Sequence, residues 1–252
     1  MKIEKNIKRV TVGNTDIRRI MNGGGILWQD LDDNSGSPGP KKLIGGNMQA
    51  GFFGEVPISE FISGEELINT LIKYRGTRQF TEEPWLKFVY LNKIEFIAKK
   101  PILTSVSHDE LKSYHLIFGD KTINVLGKTY KVRLIKGKNE GEQDDVKNYN
   151  GEILHNSEWN KLFLPIHENA PASWGYQENV NSITENWNIK YTNEDLLIGH
   201  YDNGSYCWCQ ESGDSSYDAL VRGGKDISYS ESVSRSKHSS YYGWRPVLEL
   251  VE

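Results

Sequence analysis

The stretch that most limits what this chain can fold into is its last, Tyr217–Glu252, which reads YDALVRGGKDISYSESVSRSKHSSYYGWRPVLELVE. Two apolar, strand-like pieces, Ala219–Val221 and Pro246–Val251, enclose a polar run of Ser, Tyr, Lys, Arg and His. The turns Arg222-Gly223-Gly224 and Tyr242-Gly243-Trp244-Arg245 stand at its two ends. Glycine permits a tight turn there, and arginine carries enough donors to tie neighbouring loops together. A buried frame that holds out a polar loop is the usual construction of a binding surface.

The rest of the chain is long enough to support that frame. With 252 residues, 25% charged and 37% hydrophobic, it has the length for a sizeable core but somewhat thin apolar content. Such thinness fits a β-rich, loop-rich chain, or one that buries further surface against copies of itself. A net charge of −4 gives no general attraction to nucleic acid or to an anionic membrane, so neither is expected as a partner. No run approaches the roughly 18 apolar residues of a membrane span. The opening MKIEKNIKRV has no following apolar run of the signal-peptide kind. Cys207 and Cys209, at i and i+2 on a strand, face the same side and cannot bridge each other without strain. Without a companion His or Cys pair they read as two buried thiols of a protein made in a reducing cytoplasm, with metal or redox chemistry the lesser alternative. No metal and no cofactor is expected.

Taken in order, residues 3–29 read as a three-stranded meander turning at Gly13-Asn14 and at Gly23-Gly24-Gly25. Three short strands are marginal alone, so this piece must pack on the rest of the chain or on neighbouring subunits. Residues 30–55, rich in Asp, Ser, Gly and Pro, read as a linker. Ser63 with Glu66, and Ser107 with Glu110, have the spacing of helix capping boxes. Glu65 and Glu66 are then first-turn charges rather than a catalytic pair. Hairpins are expected over 84–99, about Leu91-Asn92-Lys93, and over 121–136, about Gly127-Lys128. The acidic loop 136–150 lacks the spacing of a calcium loop. A short helix capped at Asn156 or Ser157 turns Trp159, Leu162 and Phe163 inward, and a long irregular stretch follows to about Tyr206. Strands are expected at Tyr206–Gln210, Ala219–Val221 and Val247–Leu250.

Two resemblances come with these residues. The turn Val10-Thr11-Val12-Gly13-Asn14, followed by Ile17, Ile20, Gly23 and Trp28, resembles the short N-terminal module of tail and fibre proteins from phages of Gram-positive bacteria. It departs from that pattern at Met21, where an aromatic is usual, and in its triple glycine. Roughly residues 80–252 resemble phage virion proteins whose C-terminal region has the C-type-lectin-like fold shared with formylglycine-generating enzymes. The residues that carry this are Trp85–Phe88 with Lys99–Ile102, Tyr130–Leu134, Glu158-Trp159-Asn160, Arg222-Gly223-Gly224 and Gly243–Leu248. The resemblance implies that Arg222, Gly223, Gly224, Gly243, Trp244 and Arg245 are structural signatures. The enzymes' cysteines near the closing strand are missing, as are the iron-binding His-x-x-x-His-x-Glu run and the calcium motifs of sugar-binding lectins. A scaffold without its known chemical sites is therefore implied, and a fold alone does not fix a function.

Catalytic patterns are weak. There is no G-x-S-x-G elbow for a Ser-His-Asp site, and His238 reads as a loop residue. A glycosidase pair could come from Asp202, Glu211, Asp214, Asp218 and Asp226. Rigid Tyr beside adaptable Ser, Asn and Gly is the stronger signal, because such surfaces give contact area at low entropy cost. Trp159, Trp208 and Trp244 are expected in the core. The candidate ligand-binding residues are Tyr176, Tyr201, Asp202, Asn203, Tyr229, Ser230, Arg235, His238 and Tyr241.

The expected fold class is α+β: an N-terminal antiparallel β module over 1–29, a linker over 30–55, and a C-type-lectin-like mixed α/β domain with long loops over 56–252. The expected function is that of a non-enzymatic phage virion protein of the tail or fibre apparatus, located in the virion. Other virion proteins would hold its N-terminal module, and a host cell-surface glycan or protein would meet its loops. A homo-oligomer, a trimer by preference, would supply avidity. The alternatives are a capsid or tail decoration protein that binds no receptor, and a tail-associated polysaccharide hydrolase.

Overall fold

The computed structural model describes residues 10–12, 15–17, 19–22, 25–29, 32–33, 35–72, 75–138, 157–168, 187–199, 203–213, 215–227 and 229–251, the first four segments as backbone only. The chain is β-rich α+β and is built around two sheets. Near the N-terminus, β1 (Val10–Val12) pairs with β2 (Thr15–Ile17), and β3 (Arg19–Asn22) pairs with β4 (Gly25–Gln29). The expected three-stranded meander is thus two separate hairpins. The expected turn residues Gly13, Asn14, Gly23 and Gly24 lie outside the described residues, and among those described each strand pairs only within its own hairpin.

The larger sheet contains β5 (Gly45–Asn47), β6 (Ala50–Val56), β8 (Trp85–Tyr90), β9 (Lys93–Ala98), β11 (Phe118–Val125), β12 (Lys128–Arg133) and β17 (Val247–Leu250). Their spatial order is β11-β12-β17-β9-β8-β6-β5, antiparallel throughout. The smaller sheet contains β7 (Thr77–Arg78), β10 (Leu103–Thr104), β13 (Tyr206–Ser212), β14 (Asp218–Arg222), β15 (Ser230–Ser234) and β16 (Tyr242–Trp244), in the order β15-β14-β13-β16-β10-β7. Among the described residues there are also four α-helices, α1 (Gly64–Leu71), α2 (His108–Ser113), α3 (Glu158–Phe163) and α4 (Asn193–Leu196), and two short 3-10 helices at Ile58–Glu60 and Leu164–Ile166.

Local rules place most of these elements. The β8–β9 turn has Leu91 and Asn92 at φ 48° and 65°, and the β11–β12 turn has Leu126 and Gly127 at 51° and 78°. Two central residues at positive φ twist as the flanking strands do, which is why two-residue hairpins favour them. The second turn lies one residue before the expected Gly127-Lys128. Ser107 and Glu110 form the full capping box of α2. At α1, Ser63 accepts the Glu66 amide, 3.1 Å away, and Leu67, Ile68 and Leu71 are buried. Ser157, not Asn156, caps α3 by accepting the Asn160 amide.

The larger sheet is covered on both faces, so its central strands are buried along nearly their whole length. Phe96, Tyr130, Val132 and Leu248 face α1, α2 and the smaller sheet, while Leu86, Phe88, Ile97 and Val247 pack with α3 and the two cysteines. The closing segment joins the layers. Trp244 ends β16 in one sheet, and Val247 begins β17 in the other, with only Arg245 and Pro246 between them.

The expected linker over 30–55 needs correction. Residues 45–47 and 50–55 are sheet strands, and Asp33 is buried against the larger sheet. Lys87, fully buried on β8, donates to Asp33 Oδ2 at 2.7 Å and to the Pro38 and Pro40 carbonyls at 2.8 Å each. The Pro and Gly content that looks like a spacer therefore forms a strap whose carbonyls solvate a buried ammonium. Burial pulls the Lys87 amine down from its usual value. Burial acts to raise Asp33, but hydrogen bonds from Lys87, Ser35 and Ser37 outweigh it and hold the carboxyl well below its usual range. Replacing Lys87 by Met should cost about 3 kcal/mol, because it leaves the buried Asp33 carboxylate to the half-exposed Lys41, a weaker partner at 3.4 Å. Urea unfolding measures the loss, and limited proteolysis should then cut within residues 35–42. Unchanged stability would show that the strap does not depend on this lysine.

Candidate functional site

The arginine–glycine turns that frame the C-terminal stretch are interior. Arg222 is fully buried at the end of β14; its Nη1 donates to the Gly137 carbonyl at 3.1 Å, and its Nη2 donates to Asn160 Oδ1. Arg245 is also fully buried, with Nη2 donating to the Leu196 carbonyl. The two guanidiniums lie over the Trp159 ring at 5.8 and 5.7 Å, and Arg245 lies 5.0 Å from the centre of Phe163. Trp159 itself donates from its indole to the Ile227 carbonyl at 2.7 Å. Trp159, Trp208 and Trp244 are buried, as expected from their apolar neighbours. Cys207 and Cys209 are free, buried thiols, and burial pushes both above the usual thiol range.

Each glycine of the frame meets a concrete steric demand. Gly223 has φ 92°, where a side chain is strained. A Cβ on Gly224 would come within 2.1 Å of the Tyr206 ring, and one on Gly243 within 2.5 Å of the Gly204 carbonyl oxygen. The Gly223 amide donates to the Tyr229 carbonyl at 3.1 Å, so this turn directly sets where Tyr229 emerges.

Between the two turns the chain is not simply a loop. Ser230–Ser234 is strand β15, paired along its length with β14 from Arg222↔Ser230 to Asp218↔Ser234. It forms an edge of the smaller sheet. Only Val233 among its residues is buried, so neither apolar alternation nor strand propensity marks it, and the pairing comes from the hairpin with β14.

The candidate residues divide into four groups. Tyr176, Tyr201 and Asp202 lie outside the described residues. Arg235 is used by the fold: its Nε pairs with Asp109 Oδ1 at 3.4 Å, and its Nη1 donates to the Ser216 carbonyl at 2.9 Å. His238, more than half exposed, sets Nδ1 at 3.2 Å from Glu110 Oε2. Asn203, Tyr229, Ser230 and Tyr241 reach the surface to differing degrees. Asn203, at φ 51°, is exposed and offers its carbonyl to Gln79 Nε2 at 2.5 Å. Tyr241 is 47% exposed, and its carbonyl accepts the Tyr206 amide at 3.1 Å. Because the Gly204 amide also bonds the Ser240 carbonyl, the 203–204 turn and the 238–241 segment are held side by side.

An aromatic row connects this surface to the core. Tyr229 meets Tyr206 edge-on at 6.2 Å, Tyr206 meets Tyr242 at 5.7 Å, and Tyr242 stacks on Trp208 at 5.0 Å. Lys225 lies 4.6 Å from the centre of the Tyr229 ring, and Lys237 lies 5.4 Å from that of Tyr242. Burial raises the Tyr229 phenol above its ordinary range. Sequence reasoning missed Tyr217, at 79% the most exposed of the large apolar residues among those described, in the turn before β14; its carbonyl accepts the Arg235 amide at 3.0 Å. An aromatic flanked by Ser, Gly and Asp was the available signal.

Of the possible hydrolase carboxylates, Asp202 and Asp214 lie outside the described residues. Glu211 accepts the Gly137 amide at 2.9 Å, and burial pushes it up to about 7. Asp218 accepts the Ser215 hydroxyl at 2.7 Å. Among the described residues no helix is long and apolar enough to cross a membrane. Comparisons with protein-family models, with curated proteins and with solved structures find no match to this chain.

The frame can be tested without a ligand. Gly224→Ala forces Tyr206 to move and should cost about 1–3 kcal/mol, the range for overpacking a filled site. Thermal unfolding reads the cost, and altered tyrosine fluorescence reads the displaced aromatic row. A variant with unchanged stability and fluorescence would contradict the packing described.

Proposed function

We propose that this protein is a non-enzymatic structural protein of a phage virion, part of the tail or fibre apparatus. Its N-terminal hairpins attach it to other virion proteins. Its larger part is a C-type-lectin-like domain that presents one face to a host cell-surface glycan or protein. A homo-oligomer, most simply a trimer, multiplies weak contacts at that face.

One observation carries the reading. The signature residues Arg222, Gly223, Gly224, Gly243, Trp244 and Arg245 are interior, while the chain between them brings Tyr229, Ser230 and Tyr241 outward. A rigid aromatic anchored at its base by a packed row, with Ser and Asn beside it, suits recognition of a partly apolar, hydroxyl-rich surface. Arg235 and His238 belong to the support rather than the contact surface, since Asp109 and Glu110 of α2 engage them.

The test is sedimentation of the purified protein with cell walls of Gram-positive bacteria. Tyr229→Ala with Tyr241→Ala should reduce the bound fraction at least tenfold while the unfolding temperature changes by only a few degrees. Undiminished binding by this stable variant would remove the assigned face. Release of reducing ends from the cell wall would instead favour a hydrolase.

A further inference from the structure

Beneath the α3 turn lies a group that the recognition reading does not use. Arg133, at the end of β12, is the shared partner of three carboxylates. Its Nε donates to Glu249 Oε2 at 3.0 Å; its Nη1 and Nη2 grip Glu158 at 2.9 and 2.7 Å; and Nη2 also reaches Glu95 Oε1. Glu158 further accepts the Lys136 amide at 2.8 Å, and Glu249 receives Lys93 Nζ at 2.7 Å. Glu95 is left with one oxygen, Oε2, which is buried and receives no hydrogen bond among the described residues. Glu95 Oε1 and Glu158 Oε1 share the same nitrogen, Arg133 Nη2, so the two buried carboxyls are held side by side.

An ionised carboxylate only accepts, and two of them held on one guanidinium nitrogen repel, while Glu95 Oε2 is left with no donor of its own. The cations at hand are Arg133 and the half-exposed Lys93, and both are committed to other oxygens. A proton on Glu95 Oε2 removes the repulsion and supplies the missing donor. We propose that Glu95 carries a structural proton, which relieves its repulsion with Glu158 and locks the first turn of α3 against the larger sheet until rising pH removes it.

Charged and titratable groups from several packed elements surround Glu95. Lys93 lies on its own strand, Tyr90 on β8, Arg133 on β12, Glu249 on β17 and Glu158 on α3; Glu211 on β13 acts on the group through Glu158. Burial, together with the Glu158 and Glu249 charges, raises Glu95 well above the usual range against the pull of Arg133. A carboxyl that is protonated when folded and ionised when unfolded makes the folded chain the better proton binder. Its stabilisation is complete below the ordinary carboxylate range and is lost as the pH rises through the folded value. Glu158 and Glu249 are shifted downward, so their contributions are lost at the acid end instead. Glu211, pushed up to about 7, would add to the alkaline loss and must be removed from the comparison.

The experiment uses the full chain in a Glu211→Gln background, with and without Glu95→Gln. While Glu95 remains protonated only in the folded state, each unit of pH should raise the unfolding constant about tenfold more with Glu95 present than with Gln. Denaturant titrations across pH 5–9 give that slope. Carbon-13 NMR of the Glu95 carboxyl, assigned by through-bond correlation to the β9 backbone, reads the proton directly even if Glu95→Gln does not fold. A neutral carboxyl at pH 7 supports the proposal. An ionised Glu95 at pH 7, or identical slopes for the two proteins, overturns it.

Discussion

The fold depends on the grip of Arg133 on Glu158. Arg133 extends from the larger sheet, Glu158 begins α3, and the two-point contact fixes the helix in both position and rotation. Everything in the next three residues follows from that rotation. Trp159 is set beneath the guanidiniums of Arg222 and Arg245, and Asn160 receives Arg222 from the smaller sheet. One helical turn, Ser157–Asn160, thus links the end of β12, the end of β14 and the corner between β16 and β17. Burying these charges costs several kcal/mol before any attraction is counted. An apolar core could match that in stability, but not in specifying which strand end meets which helix residue. We regard register between the sheets as the return on the cost.

This explains why much of the architecture was legible in the sequence and some was not. The capping serines, the hairpin turns and the inward Trp residues obey rules that act within a few positions, and they appear where those rules put them, to within one residue at the β11–β12 turn. Arg222-Gly223-Gly224 and Gly243-Trp244-Arg245 could be recognised as a frame, because glycine forced by φ 92° or by a tyrosine ring has no substitute. The strap over residues 33–40 could not be seen. Its reason is Lys87, more than 45 residues away along the chain, which reads as the polar member of an alternating strand until its burial is known. Strand β15 escaped for a related reason. SESVS has little strand character of its own and is ordered by the partner it lies against.

The surface was harder still, because exposure and function leave the same residue types. Arg235, His238, Tyr229 and Tyr241 are alike in the sequence, all polar or amphipathic residues in a serine-rich run. Geometry separates them: the first two meet acidic residues of α2, while Tyr241 projects and Tyr229 emerges from a packed row. Tyr217, the most exposed aromatic among the described residues, lies outside the expected set, because one tyrosine in a short turn has no pattern that separates it from any other loop residue.

The two halves of this arrangement support each other. The outer edge formed by strand β15 and the adjoining turns has few apolar anchors of its own, so its shape must be imposed from beneath. That imposition runs from Arg133 to Glu158, through Trp159 to Arg222, and from the Gly223 amide to the carbonyl of Tyr229. Since each step is a directional bond or a steric limit, residues that only project beyond the last step are free to change without disturbing the frame. Tyr241 and Ser230 are such residues; Arg235 is not.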